Sequence, residues 1–224
     1  MKLYPRINSQ LPKRPKRLYA IPVLGLFLKI LMLLPVGIEI SFLFLAFYIA
    51  SVANSLYVLF TGRFWSPVYN FGFGLLTLFT KSSLFLTGVT DEYPGFKIKS
   101  SSLISLEPPK KPNRLFALPL LGGVVRTLLL VPYYIFGTVV SYASYFGALY
   151  AVKYVLLERK YPEITYEIIL DSTRVNLATS LYFFGFSDSY PSFKISMNHK
   201  TEKIVLLILG TLVFIFSNFS SSSK

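Results

Sequence analysis

The chain has no cysteine, one tryptophan and a single histidine. Disulfides, thiolate metal sites and thiol nucleophiles are therefore excluded. His199 stands alone in Asn198-His199-Lys200, without the partners that a zinc site or a catalytic triad needs, so it reads as a linker residue. Acidic side chains are scarce, ten against 23 Lys and Arg, and charged residues make up only 15% of the chain. Soluble domains ordinarily carry about 25%. A water-facing surface is thus in short supply.

Apolar residues supply 53% of the sequence, in runs such as Val23 to Pro35 and Val36 to Phe60, a balance suited to lipid. The net charge of +13 raises the question of nucleic acid. However, the basic residues sit in short clusters beside apolar runs, and the aromatics lie inside those runs rather than alternating with Lys and Arg on a polar face. That placement points to membrane topology and away from nucleic acid. Met1 to Arg17 is polar and lacks the apolar core of a signal peptide, so the first apolar stretch is expected to stay in the protein. Gly72 and Gly74 lack the spacing of a phosphate loop, and Asn218-Phe219-Ser220 is only a three-residue match to a glycosylation acceptor.

A repeat organises the chain. Shifting the sequence by 97 positions, the separation of Pro12 and Pro109, aligns 12–98 with 109–195 without a gap, with about a third of positions identical. Pro12-Lys13-Arg14-Pro15-Lys16-Arg17-Leu18-Tyr19-Ala20-Ile21-Pro22 returns as Pro109-Lys110-Lys111-Pro112-Asn113-Arg114-Leu115-Phe116-Ala117-Leu118-Pro119. The far ends also correspond: Asp91-Glu92-Tyr93-Pro94-Gly95-Phe96-Lys97-Ile98 and Asp188-Ser189-Tyr190-Pro191-Ser192-Phe193-Lys194-Ile195. The expected organisation is a tail at 1–11, modules at 12–98 and 109–195, a linker at 99–108, and a basic linker, transmembrane helix and serine-rich tail at 196–224.

Each module divides into three segments. The first begins near Pro22 or Pro119 and is expected to stop at Pro35 or Pro132. From Leu18 to Leu34 it reaches only about 25 Å, short of a hydrocarbon core about 30 Å thick. The second, Val36 to Phe60 or Tyr133 to Leu157, is long enough to span and carries small residues suited to helix packing, such as Ala46, Ala50, Ala143 and Gly147. In the third, Glu163, Glu167, Asp171 and Arg174 share a helical stripe opposite Ile164, Ile168 and Val175. Its first-module counterpart, Pro67 to Leu86, is less clearly divided. An in-plane amphipathic helix fits both.

The expected fold is therefore an all-α integral membrane protein: a tandem repeat of a helical hairpin plus an interfacial amphipathic helix, followed by a C-terminal transmembrane helix. Hairpins would keep the N-terminal cluster, the Arg159-Lys160 loop, the linker lysines Lys97, Lys99, Lys110 and Lys111, and Lys194, Lys200 and Lys203 in the cytoplasm. Five crossings follow, with both modules in the same orientation.

Lys29 and Arg126 occupy matching positions in the first segment, so a cation there is a feature of the module. A charge at membrane depth is a functional candidate, and the plainer alternative is snorkelling to a lipid phosphate. Glu39 could meet Lys29 across the hairpin, although Phe136 replaces it in the second copy. Lys29, Arg126, Trp65, Arg63, Lys160, Tyr93 and Tyr190 are the candidate lipid or partner contacts. Asp171 and Arg174 would line a path if the third segment crossed the membrane. Asp91 and Asp188, each before Tyr-Pro, suit a turn.

Leu59-Phe60-Thr61-Gly62-Arg63-Phe64 and Thr90-Asp91-Glu92-Tyr93-Pro94-Gly95-Phe96 carry a family resemblance. The chain resembles the prokaryotic membrane family DUF4389, a domain of unknown function. Trp65 stands where that family's middle motif has proline, and Glu158-Arg159-Lys160-Tyr161-Pro162 replaces the glycine turn in the second module. The resemblance implies hydrophobic modules in a prokaryotic inner membrane and carries over no established activity; the basic clusters make the expected protein multi-pass with a cytoplasmic N-terminus. With no catalytic constellation, the expectation is a non-catalytic accessory subunit or bilayer-organising protein. Its partners would be membrane lipids and other membrane subunits, with no cofactor beyond a bound phospholipid. The competing expectation is a small transporter or channel with its path at the repeat interface.

Overall fold

The computed structural model describes residues 5–98, 102–105, 112–118, 121–196 and 198–219. Lys99, Lys110, Lys111 and Pro119, named above, lie outside them. The fold is helical: α1 (Leu24–Thr61), α2 (Ser66–Leu86), α3 (Leu121–Glu158), α4 (Glu163–Phe183) and α5 (Lys200–Phe219). Short 3₁₀ turns, Arg17–Ala20 and Arg114–Ala117, precede α1 and α3. Two residues of the N-terminal segment, β1 (Arg6–Ile7), pair antiparallel with β2 (Ile104–Ser105).

The expected hairpins do not form. α1 and α3 are each 38 residues long and run straight through Pro35 and Pro132. A proline removes one backbone donor and crowds the preceding turn, at a cost of about 3 kcal/mol in a water-exposed helix. Here the residues around both prolines are largely apolar. A reversal in lipid would strand many more backbone groups than the proline does. The crossing count falls with the hairpins: α1, α3 and α5 are the described helices long and apolar enough to cross a membrane.

α2 folds back along α1. Asn54 Oδ1 accepts the Trp65 amide at 2.9 Å, Phe47 meets Phe71, Phe44 meets Phe79, and Val36 and Ile40 cluster with Leu78. α4 returns along α3 in the same way, with Gly147 against Ile168, Ser141 Oγ 3.3 Å from Ser172 Oγ, and Gly137 beside Val175. Both return helices are largely enclosed, and twelve residues of α4 are buried. This corrects the expectation of interfacial helices. On α4, Glu167, Asp171 and Arg174 of the polar stripe make contacts inside the protein.

The two helical pairs face each other in opposite directions. Arg17, before α1, donates to the Leu157 carbonyl at the end of α3 (3.1 Å), while Arg114, before α3, lies beside Gly62 at the end of α1. This replaces the parallel arrangement expected from the linkers. The seam between the pairs is aromatic: Phe184 and Phe186, just after α4, pack on Phe44, Phe47, Phe64 and Tyr69. Leu75, Leu76, Ile168, Ile169 and Leu181 complete a core that reaches Ile7 and Ile104 of the β-pair.

α5 packs along α3 by close backbone approach. A Cβ on Gly210 would lie 2.5 Å from the Val139 carbonyl oxygen. At the equivalent places on α1, Phe42 is 70% exposed and Ala46 is also open.

Candidate functional site: two caged cations and a charged clasp

Arg126 lies in the second turn of α3. Gly122 allows this, because a side chain there would collide with the Phe116 carbonyl, so the 3₁₀ turn folds tightly over the helix start. Phe116 from that turn and Tyr182 from the end of α4 then bracket the guanidinium, with centroids at 4.8 and 5.0 Å. Such desolvated cation–ring contacts contribute up to about 2 kcal/mol each. Arg126 Nη1 donates to the Tyr182 carbonyl (2.5 Å) and the Ser187 carbonyl (3.0 Å), and Nη2 to Asp188 Oδ1 (2.6 Å). Asp188 Oδ2 accepts the Asn113 amide at 2.7 Å. One carboxylate therefore ties the segment after α4 to both the start of α3 and the turn before it.

The same construction recurs at Lys29. Its ammonium lies 5.6 Å from the Tyr19 ring centroid and 5.7 Å from that of Phe85, next to Gly88, and the acid it faces is Asp91. Asp91 Oδ2 accepts the Lys16 amide at 2.7 Å. Lys29 and Arg126 are both 4% exposed, so neither snorkels to a membrane surface. Nor does Lys29 meet Glu39: ten residues apart on one continuous helix, they are separated by about 15 Å along the axis.

The clasp is built on α4 and closed by α5. Asp171, 1% exposed, accepts Arg174 Nη1 at 2.5 Å, Lys203 Nζ at 2.9 Å, and the Ser196 amide and hydroxyl at 3.2 and 2.9 Å. Lys203 Nζ also lies 2.9 Å from Glu167 Oε2 and donates to the Ser196 hydroxyl, while Asn198 Nδ2 donates to Glu167 Oε1 at 2.8 Å. Burial pushes the Glu167 carboxyl up, but the contacts from Lys203 and Asn198 and the nearby His199 outweigh it, and the group ends below its usual value. The first module has no such clasp, since Gly74 and Thr77 stand at the positions of Asp171 and Arg174.

The remaining candidates are dispersed. Arg63, Trp65 and Lys160 are exposed at helix ends, with Trp65 stacked on Tyr57. Tyr93 meets Phe85 edge-on, and Tyr190 packs on Tyr133 and Tyr182 while its hydroxyl donates to the Leu129 carbonyl. Burial and the neighbouring Tyr182 raise the Tyr190 hydroxyl's pKa. Asp171 and Arg174 are held together in the clasp between α4 and α5. Glu163, Glu167 and His199 bring ligand-type atoms within 4.8 Å of one another, yet Glu167 already engages Lys203 and Asn198.

Reading single residues missed Lys203, Ser196 and the aromatic brackets. The brackets had a signal: a ring at 19 and 116, a cation at 29 and 126, a ring at 85 and 182, and an acid at 91 and 188 all keep the repeat spacing. Lys203 had none, because it lies beyond the repeat.

One stretch of the chain is similar to a known sequence family. Residues 24–97 match the family model DUF4389, a domain of unknown function. The matched stretch takes in α1, α2 and the Asp91 turn, and so holds Lys29, Phe85 and Asp91 of the first cage. No curated protein and no solved structure matches the chain.

Proposed function

We propose that the protein is a non-catalytic structural element of a membrane, made of two tandem modules and a C-terminal anchor, that organises the lipid or subunits around it. The observation that carries this reading is the pairing of charge inside the helical body. Lys29, Arg126, Asp171 and Lys203 are buried, and each faces an acid, a base or aromatic rings that hold it in place. A conducting path or a reaction centre needs polar groups free to exchange partners, whereas these groups join segments together. The outer faces of α1, α3 and α5 are apolar over most of their length, the surface that lipid tails or neighbouring helices require. A groove of about 410 Å³ between α1 and the start of α3, lined by Ser51, Asn54, Phe116 and Thr127, would accept part of a lipid.

The test is purification from native membranes in mild detergent, with mass spectrometry of accompanying proteins and lipids and a flux assay on liposomes containing the protein. Co-purifying subunits or a defined lipid shell are expected. Solute flux that disappears when Asp171 is neutralised would overturn the reading in favour of transport.

A further inference from the structure

The second module has a helix seated on it, and the first does not. α5 starts beside α4, where Lys203 meets Asp171, and runs back along α3 until Gly210 lies against Val139 and Ala143. The repeat spacing of 97 positions puts Phe42 and Ala46 of α1 at the places of Val139 and Ala143. Ala143 is fully buried, whereas Phe42 is 70% exposed and Ala46 is open. The row continues on α1 as Pro35, Glu39, Phe42, Ala46, Ile49 and Ala53, in the alternating steps of four and three that form one face of a helix. The chain supplies no helix for this row. Shifting Lys200–Phe219 back by 97 positions gives 103–122, a stretch that holds β2, the turn Arg114–Ala117 and the start of α3.

One difference between the two seats says what would fill the open one. Glu39 is the only acid of α1 and sits near its middle. Its Oε2 is enclosed without a hydrogen-bond partner, and among the described residues no cation pairs with it, Lys81 of α2 included. The matching residue of α3 is Phe136, which packs on Tyr133 and Phe193. Against that apolar seat α5 offers Val213 and Phe214, one turn beyond Gly210. A helix suited to α1 must differ there, because a carboxylate on an apolar helix face is costly unless a cation or a donor meets it.

The chain itself does not provide that cation. A second copy docking side by side through the same row would set Glu39 against Glu39, a repulsive pair. α5 of another copy carries no Lys or Arg between Lys203 and Phe219, so it brings no charge to the level of Glu39.

We propose that this row of α1 is the docking seat for a transmembrane helix of another subunit, which lays a small residue against Ala46 and presents Lys or Arg to Glu39. The proposal rests on the reading of this chain as a structural element among membrane subunits, and adds the face that binds and the chemistry of the helix it takes.

The test is photo-cross-linking of the full chain in its native membrane, with benzoylphenylalanine in place of Phe42, an exposed ring whose replacement keeps the aromatic shape. Illumination should join it to a membrane helix, and mass spectrometry of the joined peptide should find Lys or Arg within about two turns of the cross-linked residue. Glu39→Gln should cut the yield about tenfold, the scale of one polar contact between helices in lipid. Ala46→Leu should cut it by filling the close approach. Glu39→Lys should abolish the cross-link, and exchanging the partner's basic residue for Glu should restore it, a rescue that no folding defect would give. A cross-link to a second copy, to lipid alone or to a helix without that basic residue would overturn the proposal, as would a yield indifferent to Glu39→Gln; the structural reading would survive each of these. Release of the protein by alkaline carbonate would instead sink the membrane reading itself.

Discussion

The Arg126 cage makes a quantitative demand on Asp188. In Asp188→Asn the guanidinium remains buried, its side chain 5% exposed, with two carbonyl bonds and two ring faces but no counter-charge. Removing one partner of a buried pair costs about 3–5 kcal/mol. Asp188 is itself 21% exposed, so water screens part of the loss, and the lower end of that range applies. Geometry adds to it. Asp188 uses separate oxygens for Arg126 and the Asn113 amide, whereas asparagine offers one oxygen and turns an N–H toward one of two donors. A loss of about 3 kcal/mol in unfolding free energy is expected, more than a hundredfold in the equilibrium constant. The assay is reversible unfolding in bicelles, followed by tryptophan fluorescence. Arg126→Met should cost a similar amount, and the double variant well below the sum, because the orphaned charge goes with the first change. Arg126→Lys should be milder, since lysine fills the equivalent cage at Lys29. Loss of under 1 kcal/mol in Asp188→Asn, or additive single changes, would refute the cage as a tie between segments.

Lys203→Met should detach the start of α5 from α4 and cost about 3 kcal/mol, because Asp171 keeps only Arg174 as a cation; proteolysis around residues 197–200 would reveal it. Gly210→Leu should loosen α5 from α3 through a clash with the Val139 carbonyl while leaving α1 and α2 intact, as hydrogen exchange would show. Glu167 has a lowered folded-state pKa, so its contribution is present above its ordinary value of 4.5 and fades as pH falls through the lower folded value. The α4–α5 clasp should therefore loosen only on strong acidification, and Glu167→Gln should flatten that dependence in a pH series of thermal unfolding. Neutralising Arg174 should leave liposome permeability unchanged, and a flux effect would favour a path along α4.

Several properties are local to the sequence. The apolar runs, the scarcity of acids and the basic clusters mark helices apolar enough to cross a membrane, because partitioning into lipid depends on a segment's own composition. The repeat also marked Lys29, Arg126, Asp91 and Asp188 as positions of one design. What local reading could not decide is which groups meet. Pro35 and Pro132 suggested turns, yet the helices run through them, because a turn at those places would expose more backbone to lipid than a proline disrupts. The charged stripe of α4 suggested a membrane surface, but α5 brings Lys203 onto it, a contact between residues 32 positions apart that no periodicity encodes. The opposed directions of α1 and α3 likewise come from Arg17 and Arg114 reaching the far ends of each other's helices. Composition and spacing act along the chain, and so determined the elements; charge pairing and aromatic packing act across space, and only the tertiary structure decided them.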